Sequence, residues 1–188
     1  MQQWEHELTK AFQAGFEPPF EGSIDEWCNK NVNLQSGYSI TGNFDCSISP
    51  HLKKIFAAYK DPFVREVNIL APPRSGKTMV AELCLLHTVA HNSGDIVWFQ
   101  LSDEMSSKMV ELRLLPLIKG CPAVNSFLAD DKYNLQNQKF KFNHSTIHFT
   151  SPKPNSLNSV GYRFIFCDEI WRYDGTNIIK EIKRRADD

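Results

Sequence analysis

The stretch Ala71-Pro72-Pro73-Arg74-Ser75-Gly76-Lys77-Thr78 decides how the rest of the chain is interpreted. It follows the apolar run Val64–Leu70, an expected strand, and precedes the helix-like segment Met79–His91. A strand, a loop ending in Gly-Lys-Thr and a helix occur in this order in phosphate-binding P-loops. Alanine stands at position 71, where the usual pattern begins with glycine. The stretch predicts a phosphate site; the alternative is an ordinary strand-to-helix turn with an exposed lysine.

Each part of this stretch has a task in the predicted site. Successive loop N–H groups and the start of the next helix direct positive dipole ends at phosphate oxygens. Gly76 lets the backbone approach closely, Lys77 reaches the β- and γ-phosphates, and Thr78 can hold Mg²⁺. We therefore predict that residues 71–78 bind ATP and that Lys77 also takes part in catalysis.

A second stretch, Tyr162-Arg163-Phe164-Ile165-Phe166-Cys167-Asp168-Glu169, is an apolar run that ends in two carboxylates. Ligands of open α/β sheets bind at the carboxyl ends of the strands, where the P-loop also lies. We predict that Asp168 shares the Mg²⁺ site with Thr78, and that Glu169 orients and deprotonates the attacking water. The alternative is a strand that ends in an acidic turn. Together the two stretches predict a Walker A and Walker B pair.

Length and composition are those of one globular domain. The chain has 188 residues, of which 41% are hydrophobic and 23% charged. A formal net charge of −1 gives no global basic field, so any DNA contact must be local. The five cysteines form no C-x-x-C pair, which favours the reduced thiols of a cytosol. No secretion signal opens the chain, and no run approaches the roughly 18 apolar residues of a membrane span. We expect neither export nor membrane insertion.

Periodicity and capping signals predict the remaining elements. Helices are expected in the segments 4–16, 23–27, 49–60, 103–119, 122–128 and 178–185, the last capped by Thr176 or Asn177. The segment 95–101 is expected as a buried parallel strand, and a hairpin is expected around Asn143-His144. Lysines and aromatics alternate in that hairpin, which we interpret as a half-buried strand rather than a base-stacking surface. Residues 33–49 and 151–161 are expected as loops.

Residues 20–188 resemble the ATPase domain of tailed-phage terminase large subunits of the lambda gpA type. The matching segments are 27–38, 49–55, 61–67, 98–100, 111–118, 151–159, 164–172 and 181–185. Each is modestly specific, and their common order and spacing carry the resemblance. It implies a P-loop NTPase of the ASCE/RecA-like kind, a three-layer α/β sandwich with a mainly parallel central sheet. It further implies an ATP-driven motor that moves double-stranded DNA into a capsid in the host cytoplasm. The implied partners are the portal protein, the terminase small subunit and further copies of the chain in a ring.

The resemblance also assigns roles to basic residues. Arg74 matches an arginine inside the family's P-loop and is expected to contact the γ-phosphate; the alternative is a solvated loop arginine. Ring ATPases often take an arginine finger from a neighbouring subunit. The candidates are Arg163, Arg172, Arg184 and Arg185. A second set could touch DNA but is interpreted as a solvated helix face: His51, Lys53 and Lys54.

We divide the chain into a lead-in, residues 1–48, and a P-loop ATPase core, residues 49–188. The resemblance implies a further strand between the two motif strands and a nuclease domain, and neither is found in this sequence. Either the sequence is an excerpt with an unfinished sheet, or the strand order differs; we expect the excerpt and no nuclease activity. Two alternatives to the motor remain open. One is a nucleotide-gated or structural module without turnover, and the other is a helicase-like P-loop ATPase.

Overall fold

A computed structural model describes residues 20–128, 139–153, 161–173 and 176–187. The helix predicted at 4–16 lies outside these ranges. The helices are α1 Ile24–Asn31, α2 Leu52–Lys60, α3 Lys77–His91, α4 Asp103–Met109, α5 Leu115–Lys119, α6 Pro122–Asn125 and α7 Thr176–Asp187. The strands are β1 Asn33–Leu34, β2 Gly42–Asn43, β3 Ile96–Phe99, β4 Lys139–Lys141, β5 Thr146–Thr150 and β6 Phe164–Cys167. Short 3₁₀ turns occupy Cys46–Ile48 and Ile170–Arg172.

The central sheet has the order β4-β5-β3-β6. Strand β3 pairs in parallel with both β5 and β6, so that Ile96 lies opposite Ile147 on one side and Phe164 on the other. The predicted hairpin is confirmed, because β4 and β5 pair antiparallel. β1 and β2 form a separate two-stranded ribbon within the segment predicted as a loop. The mixed, mainly parallel α/β fold predicted from the sequence is confirmed.

Strand β3 is buried on both faces of the sheet. Ile96 and Trp98 point into a large core shared with α1, α2, α3 and α5, where the Trp98 ring stacks on Phe166 at 5.3 Å. Val97 and Phe99 point to the opposite face and join a smaller core with Ile182 of α7. Each such buried side chain stabilises the fold by about 1.5–3 kcal/mol. Helices therefore cover both faces of the sheet, in the three layers that were expected.

Local capping signals account for some helix ends better than others. Helix α1 has the predicted capping box: the Ser23 N–H donates to Glu26 Oε2 at 2.8 Å, and the Glu26 N–H donates to Ser23 Oγ at 3.4 Å. Helix α7 begins at Thr176, so the prediction that Thr176 or Asn177 caps it is wrong. A capping residue has non-helical backbone angles, and both of these residues are already helical.

None of the helices in the described part of the chain is long and apolar enough to cross a membrane.

The helix predicted over residues 103–119 is interrupted by a wide π turn at Val110–Leu114, between α4 and α5. The Leu115 N–H donates to the carbonyl of Val110, five residues back. Pro116 explains the interruption, because proline has no N–H and its ring collides with the carbonyl four residues earlier in a regular helix. The wider turn gives that carbonyl, on Leu112, a different position. It lies so close to Gly37 that a Cβ there would sit 2.8 Å from the Leu112 oxygen.

The strand predicted at Val64–Leu70 is wrong. The segment connects α2 to the 71–78 loop, and none of its residues belongs to a strand. Within the segment, Val64 is 39% and Leu70 is 103% exposed. A strand needs a neighbour for its N–H and C=O groups, and within the described residues β6 pairs only with β3. The apolar pattern alone was not enough to predict a strand here, because no strand among the described residues pairs with the segment.

Candidate functional site

The backbone of the 71–78 loop turns sharply at two positions before α3 begins. Arg74 has φ 62° and Gly76 has φ 85°, both in the left-handed region. Glycine adopts this conformation freely, whereas a residue with a Cβ pays about 1–3 kcal/mol for it. Gly76 directly precedes α3, and no side chain among the described residues caps that helix. The first N–H groups of this 15-residue helix therefore remain available to an external anion.

One polar atom of the loop is buried and has no hydrogen-bond partner among the described residues. Ser75 Oγ makes no hydrogen bond to any residue that the structure describes. An unsatisfied buried hydroxyl costs about 1–3 kcal/mol, so a ligand that supplies the missing partner would be stabilised here. The Ser75 carbonyl is contacted from the start of α2, where His51 Nε2 lies 3.1 Å away. From the sequence, His51 was interpreted as part of a solvated helix face that could touch DNA, and its contact with the loop was not predicted.

The Lys77 ammonium lies directly over the loop. Its Nζ donates to the carbonyl oxygens of Ala71 and Pro72 at 3.0 and 2.9 Å. Both acceptors belong to the loop itself, so the positive charge is held at its centre, and the side chain is half-buried. Pro73 and Arg74 are exposed at the outer turn of the loop. A phosphate group bound in the loop would contact this ammonium directly, because phosphate oxygens can replace the two carbonyls as its hydrogen-bond acceptors.

Asp168 follows the last residue of β6, and the sheet carries it to the start of α3. Thr78 Oγ1 donates to Asp168 Oδ2 at 3.2 Å and lies 3.5 Å from Oδ1. The Asp168 N–H donates to the Phe99 carbonyl at 3.2 Å, which extends the β3–β6 ladder by one residue and fixes where the carboxylate stands. The structure thus brings together the hydroxyl and the carboxylate that were predicted from separate stretches of sequence.

Glu169 comes immediately after Asp168 in a strained conformation. Its φ is 53°, and the 3₁₀ turn Ile170–Arg172 follows it. Strained non-glycine residues cluster at functional sites, where the surrounding structure holds them in place. Here the Tyr173 hydroxyl donates to the Phe99 carbonyl at 2.8 Å and anchors the chain just beyond the turn. The turn directs the chain away from the strand direction immediately after the two carboxylates.

Sequence reasoning missed Gln100 as a member of this site. It follows β3 and is 4% exposed. Its Nε2 donates to Asp168 Oδ2 at 3.3 Å and to Met109 Sδ at 3.0 Å. A polar residue directly after a fully buried strand is the signal that could have indicated it. The contact itself depends on β3 and β6 being neighbours, which the sequence does not state.

A buried ion pair joins α3 to the π turn. Glu82 of α3 is 0% exposed and receives two hydrogen bonds from Arg113, both at 2.8 Å. The Tyr38 hydroxyl donates to the same carboxylate at 2.8 Å, and the Arg113 guanidinium lies 4.7 Å from the centre of the Tyr38 ring. Burial raises the pKa of Glu82, and the bonds from Arg113 oppose that shift. The network fixes α3, and with it Lys77 and Thr78, against two other parts of the chain.

The candidate arginine fingers differ in their surroundings. Arg163 lies before β6, at the opposite end of the strand from Asp168, and donates to the Ser93 carbonyl at 2.8 Å. Arg184 is paired with Glu181 at 2.6 Å. Arg172 is exposed near the ring of its neighbour Trp171. The side chain of Arg185 lies outside the described residues. Arg172 is thus the candidate nearest to the two carboxylates in the chain.

The donors at the site suit a magnesium ion that is shared with a nucleotide. Among the residues that the structure describes, no three or more His, Cys, Asp or Glu side chains form a metal-binding group. Magnesium in nucleotide enzymes is commonly held by one or two protein oxygens, phosphate oxygens and water. The Thr78 hydroxyl and the Asp168 carboxylate, 3.2 Å apart at the end of the loop, fit that arrangement.

The fold, the loop and the converging hydroxyl and carboxylate define a domain of the P-loop ATPase kind. The family model described as phage terminase large subunit gpA, ATPase domain, matches residues 39–183. The chain belongs to this family, which confirms the resemblance found in the sequence. Membership supports a role in phage packaging with DNA and packaging partners in general. None of the curated proteins compared matches the chain.

Proposed function

We propose that this domain binds and hydrolyses Mg-ATP to drive the movement of DNA into a phage capsid. The proposal rests first on one observation, the contact of Thr78 with Asp168 at 3.2 Å. The loop, the uncapped start of α3 and the Lys77 ammonium lie next to that contact in the chain. Membership of the terminase family supports phage packaging as the process in which the domain acts.

The residues of the 71–78 loop are proposed to hold the nucleotide phosphates. Backbone N–H groups of the loop and of the first turn of α3 donate to the phosphate oxygens. The Lys77 ammonium exchanges its two loop carbonyls for β- and γ-phosphate oxygens, and the exposed Arg74 reaches the γ-phosphate. Thr78 and Asp168 would hold Mg²⁺, which would neutralise charge on the phosphates. These assignments correspond to a Walker A loop and a Walker B strand.

Glu169 is proposed to orient the attacking water and to accept its proton. The carboxylate directly follows Asp168, the proposed metal ligand, and the proposal gives it the water that attacks the γ-phosphate. The left-handed conformation of Glu169 and the anchored turn behind it restrict where that carboxylate can stand. A fixed base at the proper distance from the water reduces the reorganisation needed for reaction.

The wider assembly is proposed from the family. A ring of copies on the portal protein, acting with double-stranded DNA and the terminase small subunit in the host cytoplasm, would use this domain as its motor. A finger from a neighbouring copy would complete the site, and Arg172 is our first candidate. A second function is favoured by exposed apolar side chains beside the site. Leu70 is 103% and Trp171 77% exposed, and such side chains suit contact with a partner, so the second candidate is a nucleotide-gated interaction module.

Phosphate release with and without double-stranded DNA tests the proposal. Glu169→Gln should keep nucleotide affinity within about twofold and lower turnover by at least about 100-fold, since it removes the base and leaves the phosphate contacts. Glu104→Gln is the matched control, because that exposed carboxylate lies in an ion pair with Lys108. Parental turnover in Glu169→Gln would refute the base assignment. Nucleotide binding without any phosphate release by the parent would favour the interaction module.

A further inference from the structure

Gln100 holds the Asp168 carboxylate from a fixed position. Its backbone N–H donates to the Thr150 carbonyl at 3.0 Å, so the residue is tied to β5 as well as to β3. The two hydrogens of its amide are directed to different acceptors, Asp168 Oδ2 at 3.3 Å and Met109 Sδ at 3.0 Å. With 4% of its surface exposed, the side chain cannot rotate without breaking both contacts inside the protein.

Chemistry fixes which end of the amide faces Asp168. A carboxylate only accepts hydrogen bonds, so the amide nitrogen must point to it. The reversed amide would place a carbonyl oxygen against a carboxylate oxygen. It would also leave the buried nitrogen of Gln100 without its charged partner, and a buried donor without an acceptor is unfavourable. The Met109 thioether, itself a weak acceptor, holds the second hydrogen and reinforces the same orientation.

A neutral donor suits a carboxylate that must also serve a metal. The Thr78 hydroxyl lies closer to Oδ2 of Asp168, at 3.2 Å, than to Oδ1, at 3.5 Å. The Gln100 amide also donates to Oδ2. Oδ1 is therefore left with more of its accepting capacity for other partners. A lysine or arginine in place of Gln100 would bring a positive charge that competes with Mg²⁺ for the carboxylate. The amide orients the group and leaves its negative charge in place.

We propose that Gln100 is a positioning residue for Asp168, which orients the carboxylate for magnesium without neutralising it. The inference rests on the proposed function, because it assumes that Thr78 and Asp168 hold Mg²⁺ with a nucleotide. Gln100 is not proposed to contact the nucleotide or the reacting water. Its effect is carried entirely through the carboxylate of Asp168.

The test is calorimetric titration of ADP with Mg²⁺ and with EDTA. The ratio of the two affinities is the magnesium gain. Gln100→Met keeps the length of the side chain and removes the donor, and it should lower the gain about five- to tenfold while affinity in EDTA stays within about twofold. Gln35→Met is the matched control, because its exposed amide donates to Asn33 Oδ1, and it should keep the parental gain. Gln100→Asn, whose amide is one methylene short, replaces Gln100→Met if that variant does not fold.

A double variant separates positioning from a general structural effect. In an Asp168→Asn background, Gln100→Met should change the magnesium gain by less than about twofold, because the group it acts through is already altered. A full parental gain in Gln100→Met, or an equal loss in both backgrounds, would overturn the positioning role and leave the proposed function intact. A parent chain that shows no magnesium gain would instead refute the proposed metal site itself.

Discussion

Thr78 Oγ1 lies 3.2 Å from Asp168 Oδ2, and the two residues are 90 positions apart in the chain. Thr78 belongs to the first turn of α3, and Asp168 follows β6. Their contact places the end of the loop at the carboxyl end of the sheet, where α/β proteins bind ligands. Most of what we expect of this domain depends on that contact.

Thr78→Val should remove the stabilisation that magnesium adds to nucleotide binding. Valine has the shape of threonine but no oxygen, so Mg²⁺ loses one ligand and Asp168 loses one donor. We expect ADP to raise the melting temperature of the parent more in the presence of Mg²⁺ than in the presence of EDTA. For Thr78→Val, the rise caused by ADP should be the same in Mg²⁺ and in EDTA. Thr78→Ser keeps the hydroxyl and should behave as the parent. A parental magnesium effect in Thr78→Val would exclude Thr78 as a ligand.

Arg113→Met should destabilise the domain by about 3–5 kcal/mol, because it leaves the buried Glu82 carboxylate without its cationic partner. Tyr38→Phe removes one neutral donor to the same carboxylate and should cost less, about 1–2 kcal/mol. Urea unfolding measures both free energies.

The matched control for this network is the double variant Glu82→Met with Arg113→Met. Replacing both charges by apolar groups of similar size avoids the isolated carboxylate, so most of the stability should return. If Arg113→Met alone cost less than about 1 kcal/mol, the ion pair would not be what holds α3 to the π turn.

Acid should destabilise the domain through His87, which is 7% exposed beside His91 and the edge of Trp27. Burial, with His91 and Lys60 nearby, lowers the pKa of His87 from 6.5 to about 4. In the unfolded chain, the His87 imidazole is therefore protonated below about pH 6.5, whereas in the folded chain it is protonated only near pH 4. This contribution to stability is present above pH 6.5 and is lost as the pH falls toward 4.

His87→Phe should weaken this pH dependence. Between pH 7 and pH 4 the parent should lose up to about 3 kcal/mol more stability than the variant, as measured by urea unfolding at each pH. The His91 pKa is also lowered by burial, so part of the dependence remains in the variant. Parallel stability curves for the two proteins would contradict the account.

Leu70→Ala should leave the stability of this chain almost unchanged, within about 0.5 kcal/mol, because Leu70 is fully exposed. Leu86→Ala is the matched substitution at a side chain that is 0% exposed in α3, and it should cost about 2–5 kcal/mol. Thermal and urea unfolding compare the two directly. A large cost for Leu70→Ala would show that the 64–70 segment is packed after all.

Local patterns allowed much of the fold to be predicted. The Ser23–Glu26 capping box, the buried run Ile96–Phe99 and the alternation of the hairpin each specify structure through near neighbours. The segment Val64–Leu70 failed because strand formation depends on a partner, and no described strand adjoins it. The π turn was not predicted, because apolar periodicity indicates a helix over residues 103–119 but does not show how its backbone accommodates Pro116.

In the candidate site too, residues that belong to short motifs could be predicted, whereas those that depend on neighbouring strands could not. Lys77, Thr78 and Asp168 could be predicted because their chemistry is tied to short motifs. Their convergence at one site was also predicted, and the 3.2 Å contact of Thr78 with Asp168 agrees with it. Gln100 could not be assigned from the sequence, since its role arises from the adjacency of β3 and β6 and from the position of Met109.

The central claim is that the loop around Lys77 holds the phosphates of a magnesium nucleotide. Calorimetric titration of Mg-ADP into the parent, Lys77→Ala and the exposed-lysine control Lys54→Ala tests it most directly. We predict saturable binding by the parent and by Lys54→Ala, and at least about a tenfold loss of affinity in Lys77→Ala. Equal affinity in all three proteins, or a folded parent that does not bind Mg-ADP, would contradict it.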